Sequence, residues 1–162
     1  MKLRSIVSII MSMTLVMLSL TSSIHAEDTA SNNTSDIIYY EDGSYLTIHE
    51  PQITVESSVR ATSTIINAKR PITYTNSSGE LVWEYYLHAT FSYVYGSSAT
   101  CTIASYDYTI HKDSWSFSDG STSRSGGTAY GYGTFKNKVL FITTKTVNID
   151  TYLTCDIYGN IS

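Results

Sequence analysis

Residues 63–162 predict an all-β fold, an antiparallel β-sandwich or small barrel, and three observations carry that prediction. From Leu81 to Tyr93 every odd position is apolar or aromatic (Leu81, Trp83, Tyr85, Leu87, Ala89, Phe91, Tyr93), whereas Glu84, His88, Thr90 and Ser92 occupy even positions. A two-residue period held that long is the pattern of a strand with one buried face. No sustained helical period follows Ala26. The apolar runs are short and are separated by Gly, Ser and Asn turns, the spacing of an antiparallel sheet.

Taken in order, the chain opens with Lys2 and Arg4, continues through the apolar stretch Ile6–Leu20 and ends its first zone on the small residue Ala26. These are the three parts of a secretory signal. Ser8, Ser12, Thr14 and Ser19 interrupt the apolar stretch, which falls short of the roughly 18 apolar residues a membrane-spanning helix needs. Residues 1–26 are therefore expected to be a signal peptide removed after Ala26, leaving a secreted, extracellular protein without a transmembrane anchor.

Residues 27–62 read as an acidic, mostly disordered lead. Glu27, Asp28, Asp36, Glu41, Asp42, Glu50 and Glu56 fall there without a Lys or Arg before Arg60. Within it, Ile37–Tyr40 and Tyr45–Ile48 flank Glu41-Asp42-Gly43-Ser44, and Asp-Gly supplies the positive φ angles of a tight turn, so a hairpin over 37–48 is expected. An isolated hairpin is marginal in water and needs a surface to dock on. Without residues 1–26 the chain carries eight basic and fourteen acidic residues, a formal −6. That balance lacks the basic footprint by which proteins neutralise nucleic-acid phosphates, so no nucleic-acid partner is expected.

The β-domain itself begins with a strand near Pro71–Thr75, the turn Asn76–Gly79 and the alternating strand 81–93. Ala99–Ile110 follows. Cys101 and Ile103 are apolar at odd positions but Ala104, Tyr106, Tyr108 and Ile110 at even ones, which predicts a β-bulge near Ala104 or Ser105. Ser114–Ser118 is a short alternating piece and 119–127 (DGSTSRSGG) reads as a flexible loop. Further strands are expected at Thr128–Phe135 and Val139–Ile149, with Tyr152–Ile157 a last strand or the continuation of that one.

Cys101 and Cys155 are the two cysteines of the chain. In an exported protein such a pair is a candidate disulfide, with two free thiols as the alternative; the lack of CxxC spacing gives no support to a redox or zinc role. Cys101, Trp115 and Cys155 approach the immunoglobulin Cys…Trp…Cys spacing. Tyr152 stands three rather than two residues before the second cysteine, however, and only seven residues follow it.

Chemistry-bearing constellations are sparse. His49, His88 and His111 stand singly on different segments, without the paired ligands of a zinc site, so no metal and no cofactor is expected. His111, Asp113 and Ser114 lie too close along an extended chain to converge as a relay, because neighbouring strand residues point to opposite faces. No GxSxG elbow is present. Gly126–Gly133 lacks the Lys and the strand-to-helix context of a phosphate loop. The expectation is a non-enzymatic protein.

Tyrosine is the conspicuous residue. All fourteen lie after Ala26, more than one small core can hide with every hydroxyl satisfied. Tyr pairs an apolar body with a polar tip and is enriched in binding surfaces. Tyr106, Tyr108, Tyr130 and Tyr132 are the candidate ligand-binding residues; their alternative role is packing over a neighbouring strand, with Gly131 and Gly133 admitting a second layer.

The segments EDGSYLTI (41–48), YTNSSGELVW (74–83), ATFSYVYGSSATCT (89–102), SWSFSDGSTSRSGGTA (114–129) and TKTVNIDTYLTCDIYGNIS (144–162) cover most of the chain after Ala26. In them the chain resembles a group of small secreted β-domain proteins of Gram-positive bacteria that have no established activity. The resemblance implies Gram-positive export and a disulfide-capable β-domain near the C-terminus, and it transfers no functional residue. The group carries Val-Asn/Ser-Ile/Leu-Thr-Leu-Thr before its second cysteine. Asp150-Thr151-Tyr152 departs from that run, which bears on the register of the last strand.

Together these features point to a secreted binding module at or near the bacterial cell surface, its partner a cell-wall polymer or another extracellular protein. A small secreted hydrolase or inhibitor would instead show a pocket near His111, Asp113 and Trp115. A membrane-active β-toxin is the third class, prompted by the Ser/Thr/Tyr alternation of Ser114–Phe135.

Overall fold

The computed structural model describes residues 35–56 and 63–162; the expected signal segment 1–26 and its cleavage point lie outside the described residues. Those residues form nine strands: β1 (Asp36–Tyr39), β2 (Tyr45–Ile48), β3 (Gln52–Glu56), β4 (Thr64–Thr75), β5 (Leu81–Val94), β6 (Ser98–Ile110), β7 (Trp115–Ser125), β8 (Thr128–Val139) and β9 (Ile142–Thr154). One antiparallel sheet runs β1-β2-β4-β5-β6, with β3 also paired to β4, and a second runs β7-β8-β9. The two sheets pack as a sandwich and do not close into a barrel. Consecutive hairpins join β4 to β6 and β7 to β9, so the topology is two meanders and not the Greek key of the immunoglobulin pattern.

The alternation of β5 is realised as burial. Trp83, Tyr85, Leu87, Ala89 and Phe91 are buried between the sheets, and Glu84, Tyr86, His88 and Thr90 face outward. A register shift between Tyr74 and Thr75 makes Val82 an extra residue, and it is buried while Leu81 is exposed. The face change in β6 is a bulge, placed at Thr102 and not at Ala104 or Ser105: Thr90 pairs with Ile103 and Phe91 with Cys101. Cys101 points inward before it, and Ala104 and Tyr106 turn toward the core after it.

Three stretches differ from the sequence-based expectation. Of the acidic lead, Asp36–Glu56 contributes three strands to the large sheet. The expected hairpin is present as β1 and β2, with Asp36 opposite Ile48 and Tyr39 opposite Tyr45. Gly43 takes φ +80 in its turn, where the Asp42 carboxylate accepts from Ser44 Oγ at 2.6 Å. The hairpin docks through β2 on the Ile72–Thr75 half of β4, and β3 covers the Ile65–Lys69 half. Residues 119–125, read as a loop, continue β7 to Ser125, leaving Gly126-Gly127 as the turn. Finally, the strand expected over Val139–Ile149 is divided by a turn at Leu140-Phe141, and β9 continues from Ile142 to Thr154, with Tyr152 opposite Tyr130 and Asp150 opposite Tyr132.

The core is aromatic. Trp83 lies flat against Phe135 (centroids 3.9 Å apart, 4° between planes) and against Tyr74 (5.1 Å, 14°), joining the two sheets. Tyr85 enters the slot above Gly131 and Gly133 and donates its hydroxyl to the Tyr132 carbonyl at 3.3 Å. A Cβ on Gly131 would lie 2.9 Å from both the Tyr85 hydroxyl and Leu87 Cδ1, so the glycines admit the second layer. Burial holds the Tyr85 phenol well above its ordinary value.

Lys145 fastens the lead to the sandwich. Its ammonium donates to Asp42 at 2.6 Å and to Ser44 Oγ at 2.7 Å, and it stands 4.6 Å from the centre of the Tyr40 ring. The hydrogen bond from Lys145, and then that from Ser44, lower the Asp42 carboxyl to about 2. A folded-state value below the unfolded one contributes stability above the unfolded value and loses it as pH falls. Because the Asp42 side chain is half exposed, solvent screening limits this to about 1 kcal/mol. Thermal melts between pH 5 and 2 are expected to show the loss as pH drops through about 4 toward 2. Asp42→Asn should be less stable at pH 6 and lose less on acidification; matching pH profiles for the two proteins would contradict the pairing.

Candidate functional site

The outer face of β7-β8-β9 follows from strand periodicity. Ala129, Gly131, Gly133 and Phe135 of β8, and Val147, Ile149, Thr151 and Leu153 of β9, turn to the core, which sends the intervening residues outward. Across the three strands the outward rows read Ser125–Thr128–Thr154, Ser123–Tyr130–Tyr152, Ser121–Tyr132–Asp150 and Asp119–Thr134–Asn148. No aliphatic side chain interrupts these rows. Tyr130, Tyr132 and Tyr152 are 43%, 37% and 54% exposed. The Tyr132 hydroxyl lies 2.7 Å from Thr134 Oγ1, which donates to Asn148 Oδ1 at 3.1 Å, fixing the polar groups beside the rings.

The four tyrosines singled out in the sequence therefore separate. Tyr130 and Tyr132 share the exposed face. Tyr106 and Tyr108 lie at the seam between the sheets: Tyr106 lies against Tyr85 (5.7 Å, 14°) and reaches the Gly120 carbonyl, and Tyr108 stacks on Phe117 (4.1 Å, 19°) while remaining 44% exposed, away from the face that carries Tyr130 and Tyr132. Sequence reasoning missed Tyr152, which completes the exposed group. Its signal was the outward parity of β9, where Val147, Ile149, Thr151 and Leu153 occupy the buried odd positions.

At Tyr152 the face borders a cleft of about 240 Å³ lined by Asp36, His49, Glu50, Arg70 and Ser162. Arg70 donates to the Tyr152 carbonyl, and its guanidinium sits 5.9 Å from that ring's centre. Burial lowers the Arg70 value, with Glu50 opposing that shift; a guanidinium stays charged in either case. The aromatic face thus meets a polar cleft holding both signs of charge.

The other candidates occupy separate places. His111 Nε2 is 2.9 Å from Glu84, which also accepts from the Tyr86 hydroxyl, and His88 pairs with Asp107 at 3.1 Å. The pocket at Trp115 includes Lys112 and Ser114 but neither His111 nor Asp113, so those residues are not brought together. Among the described residues no group of three His, Cys, Asp or Glu is arranged to hold a metal ion, and no helix is long and apolar enough to cross a membrane.

Cys101 and Cys155 are buried and their sulfurs are not bonded to each other. Their backbones are nonetheless drawn to one turn: Cys101 N–H donates to the Gly126 carbonyl at 2.7 Å and Cys155 N–H to the Gly127 carbonyl at 2.8 Å. Burial raises both thiols, and for Cys155 the nearby charges of Asp156 and Cys101 add to the rise.

No family model, curated protein or solved structure matches the chain.

Proposed function

We propose that this protein is a secreted, non-enzymatic binding module that recognises a cell-wall polymer through the outer face of β7-β8-β9. The observation that carries this reading is the placement of Tyr130, Tyr132 and Tyr152 on one exposed sheet face among Ser, Thr, Asp and Asn side chains. A sugar ring presents an apolar C–H face and a rim of hydroxyls. Flat phenol rings suit the first, and carboxylate, amide and hydroxyl groups suit the second. The cleft at Arg70 and Glu50 offers charged groups to a chain running off the Tyr152 edge. In the same reading the thiols of Cys101 and Cys155 become a disulfide in the oxidising space outside the cell.

The test is retention on isolated cell wall. Wild-type protein is expected to be retained, and Tyr130→Ala/Tyr152→Ala to lose most of it. An exposed cross-strand aromatic pair contributes only about 0.2–1 kcal/mol, so the variant's melting temperature should stay near the wild-type value. Equal retention of both proteins, or none for wild type on intact wall, would overturn the assignment.

A further inference from the structure

At the far end of β8 and β9 the chain exposes four consecutive apolar residues. Val139 and Ile142 pair with each other, and Leu140 and Phe141 form the two-residue turn between them. Leu140 is 86% and Phe141 99% exposed, and both flanking residues are more than half exposed. The turn has φ +47 at Leu140 and +68 at Phe141. Successive positive φ values are those of the tight hairpin turn that Asn-Gly or Asp-Gly fills readily and bulky residues fill under strain. Neither folding nor solubility accounts for Leu-Phe at this place: the turn chemistry opposes it, and water opposes the exposed side chains. Strained residues held in such a position are a mark of function.

We propose that the Val139–Ile142 tip inserts into the interface of an anionic lipid bilayer. Charge and shape argue for this occupant. From Thr128 to Ile149 the chain has three lysines and no acidic residue, in a protein that is acidic as a whole. Lys145 is held by Asp42, but Lys136 and Lys138 pair with no acid among the described residues. A strand advances about 3.3 Å per residue, so a tip buried two residues deep reaches roughly 7 Å, within the depth of interfacial insertion. That depth leaves Lys138 at the level of the headgroup phosphates and Lys136 just behind it, where basic side chains bind anionic lipid. The tip is convex and projecting, as a bilayer requires. It also lies nine residues along β8 from Tyr130, about 30 Å at strand rise, so a docked molecule holds its tyrosine face clear of the surface. Insertion of the tip does not depend on what that face binds.

Phe141→Trp in the full chain supplies the probe, because Trp83 and Trp115 are buried and contribute a constant background. Adding phosphatidylglycerol vesicles is expected to shift the emission of the introduced indole to the blue and to make it quenchable by brominated acyl chains. Phosphatidylcholine vesicles should be markedly weaker. Adding Lys136→Gln and Lys138→Gln should raise the lipid needed by about tenfold or more. Leu140→Asn/Phe141→Gly suits the turn and should fold at least as well as wild type, while detaching the tip from vesicles. No shift with anionic vesicles would overturn the proposal. So would an emission already blue without lipid, which assigns the tip to a site within the chain, or one that turns blue on concentrating the protein, which assigns it to a second copy.

Discussion

Trp83→Ala is expected to destabilise the protein by about 3–5 kcal/mol, the range for truncating a fully buried large aromatic. The indole is wholly buried and stacks on Phe135 of the opposite sheet and on Tyr74 of its own, with Trp115 edge-on at 6.4 Å. Its removal therefore leaves a cavity where aromatic rings of both sheets meet face to face in the buried core. Strands on either side are hydrogen-bonded to their neighbours and have little freedom to collapse into the gap. Domains of this size are stable by only about 5–15 kcal/mol, so the loss is a large share of the total. Trp83→Phe should cost much less, because it keeps a ring on Phe135 and removes an indole N–H that has no partner in the core. Guanidinium unfolding monitored by circular dichroism measures both. A loss below about 2 kcal/mol for the alanine variant would mean that the sheets do not depend on this stack.

The second large effect concerns the cysteines. Closing the segment from Cys101 to Cys155 is expected to stabilise the protein by about 4 kcal/mol, the loop-entropy value for roughly 55 residues. Hydrogen bonds already bring the two backbones to adjacent carbonyls of the β7–β8 turn, which limits the rearrangement needed. Reactivity, in contrast, is restrained. Burial raises both thiols, and the thiolate is the species that exchanges. Reduced folded protein should therefore oxidise slowly, and protein that folds in an oxidising medium should acquire the bond as it folds. Alkylation with mass analysis, followed by denaturation with and without reductant, distinguishes the states. Two alkylatable thiols in exported protein, or equal midpoints for oxidised and reduced protein, would remove the disulfide from the proposed function.

How far the sequence can be read depends on whether a residue's partner is near it in the chain. The thirteen-residue alternation of β5 specifies its own buried face, and the Asp42-Gly43 turn specifies its own hairpin, so both were legible. Residues 119–125 were not. Their Ser, Thr, Asp and Gly content is that of a loop, and they form a strand because β8 supplies a hydrogen-bonding partner for Asp119 through Ser125 and Thr122 donates to the Ala104 carbonyl across the seam. Asp36–Glu56 was misjudged for the same reason: its acids are exposed, and the β4 residues that pair β2 and β3 lie nine to thirty residues further on.

The site divides along that line too. Tyrosine excess foretold an exposed aromatic surface, and alternation put Tyr130 and Tyr132 on one side of their strand. That Tyr106 and Tyr108 would lie at the seam, away from the face of Tyr130 and Tyr132, and that Tyr152 would stand opposite Tyr130, depended on a bulge at Thr102 and on strand register. The Leu140-Phe141 turn was hidden by the same limit, since an apolar run reads as strand until pairing shows where it reverses. By itself the sequence determined the all-β class, the central buried strand and the first hairpin, because periodicity and turn chemistry act between neighbouring residues. Only the tertiary structure decided which rings meet solvent, where the cysteines lie and which apolar residues protrude, because those outcomes depend on contacts between strands distant in the chain.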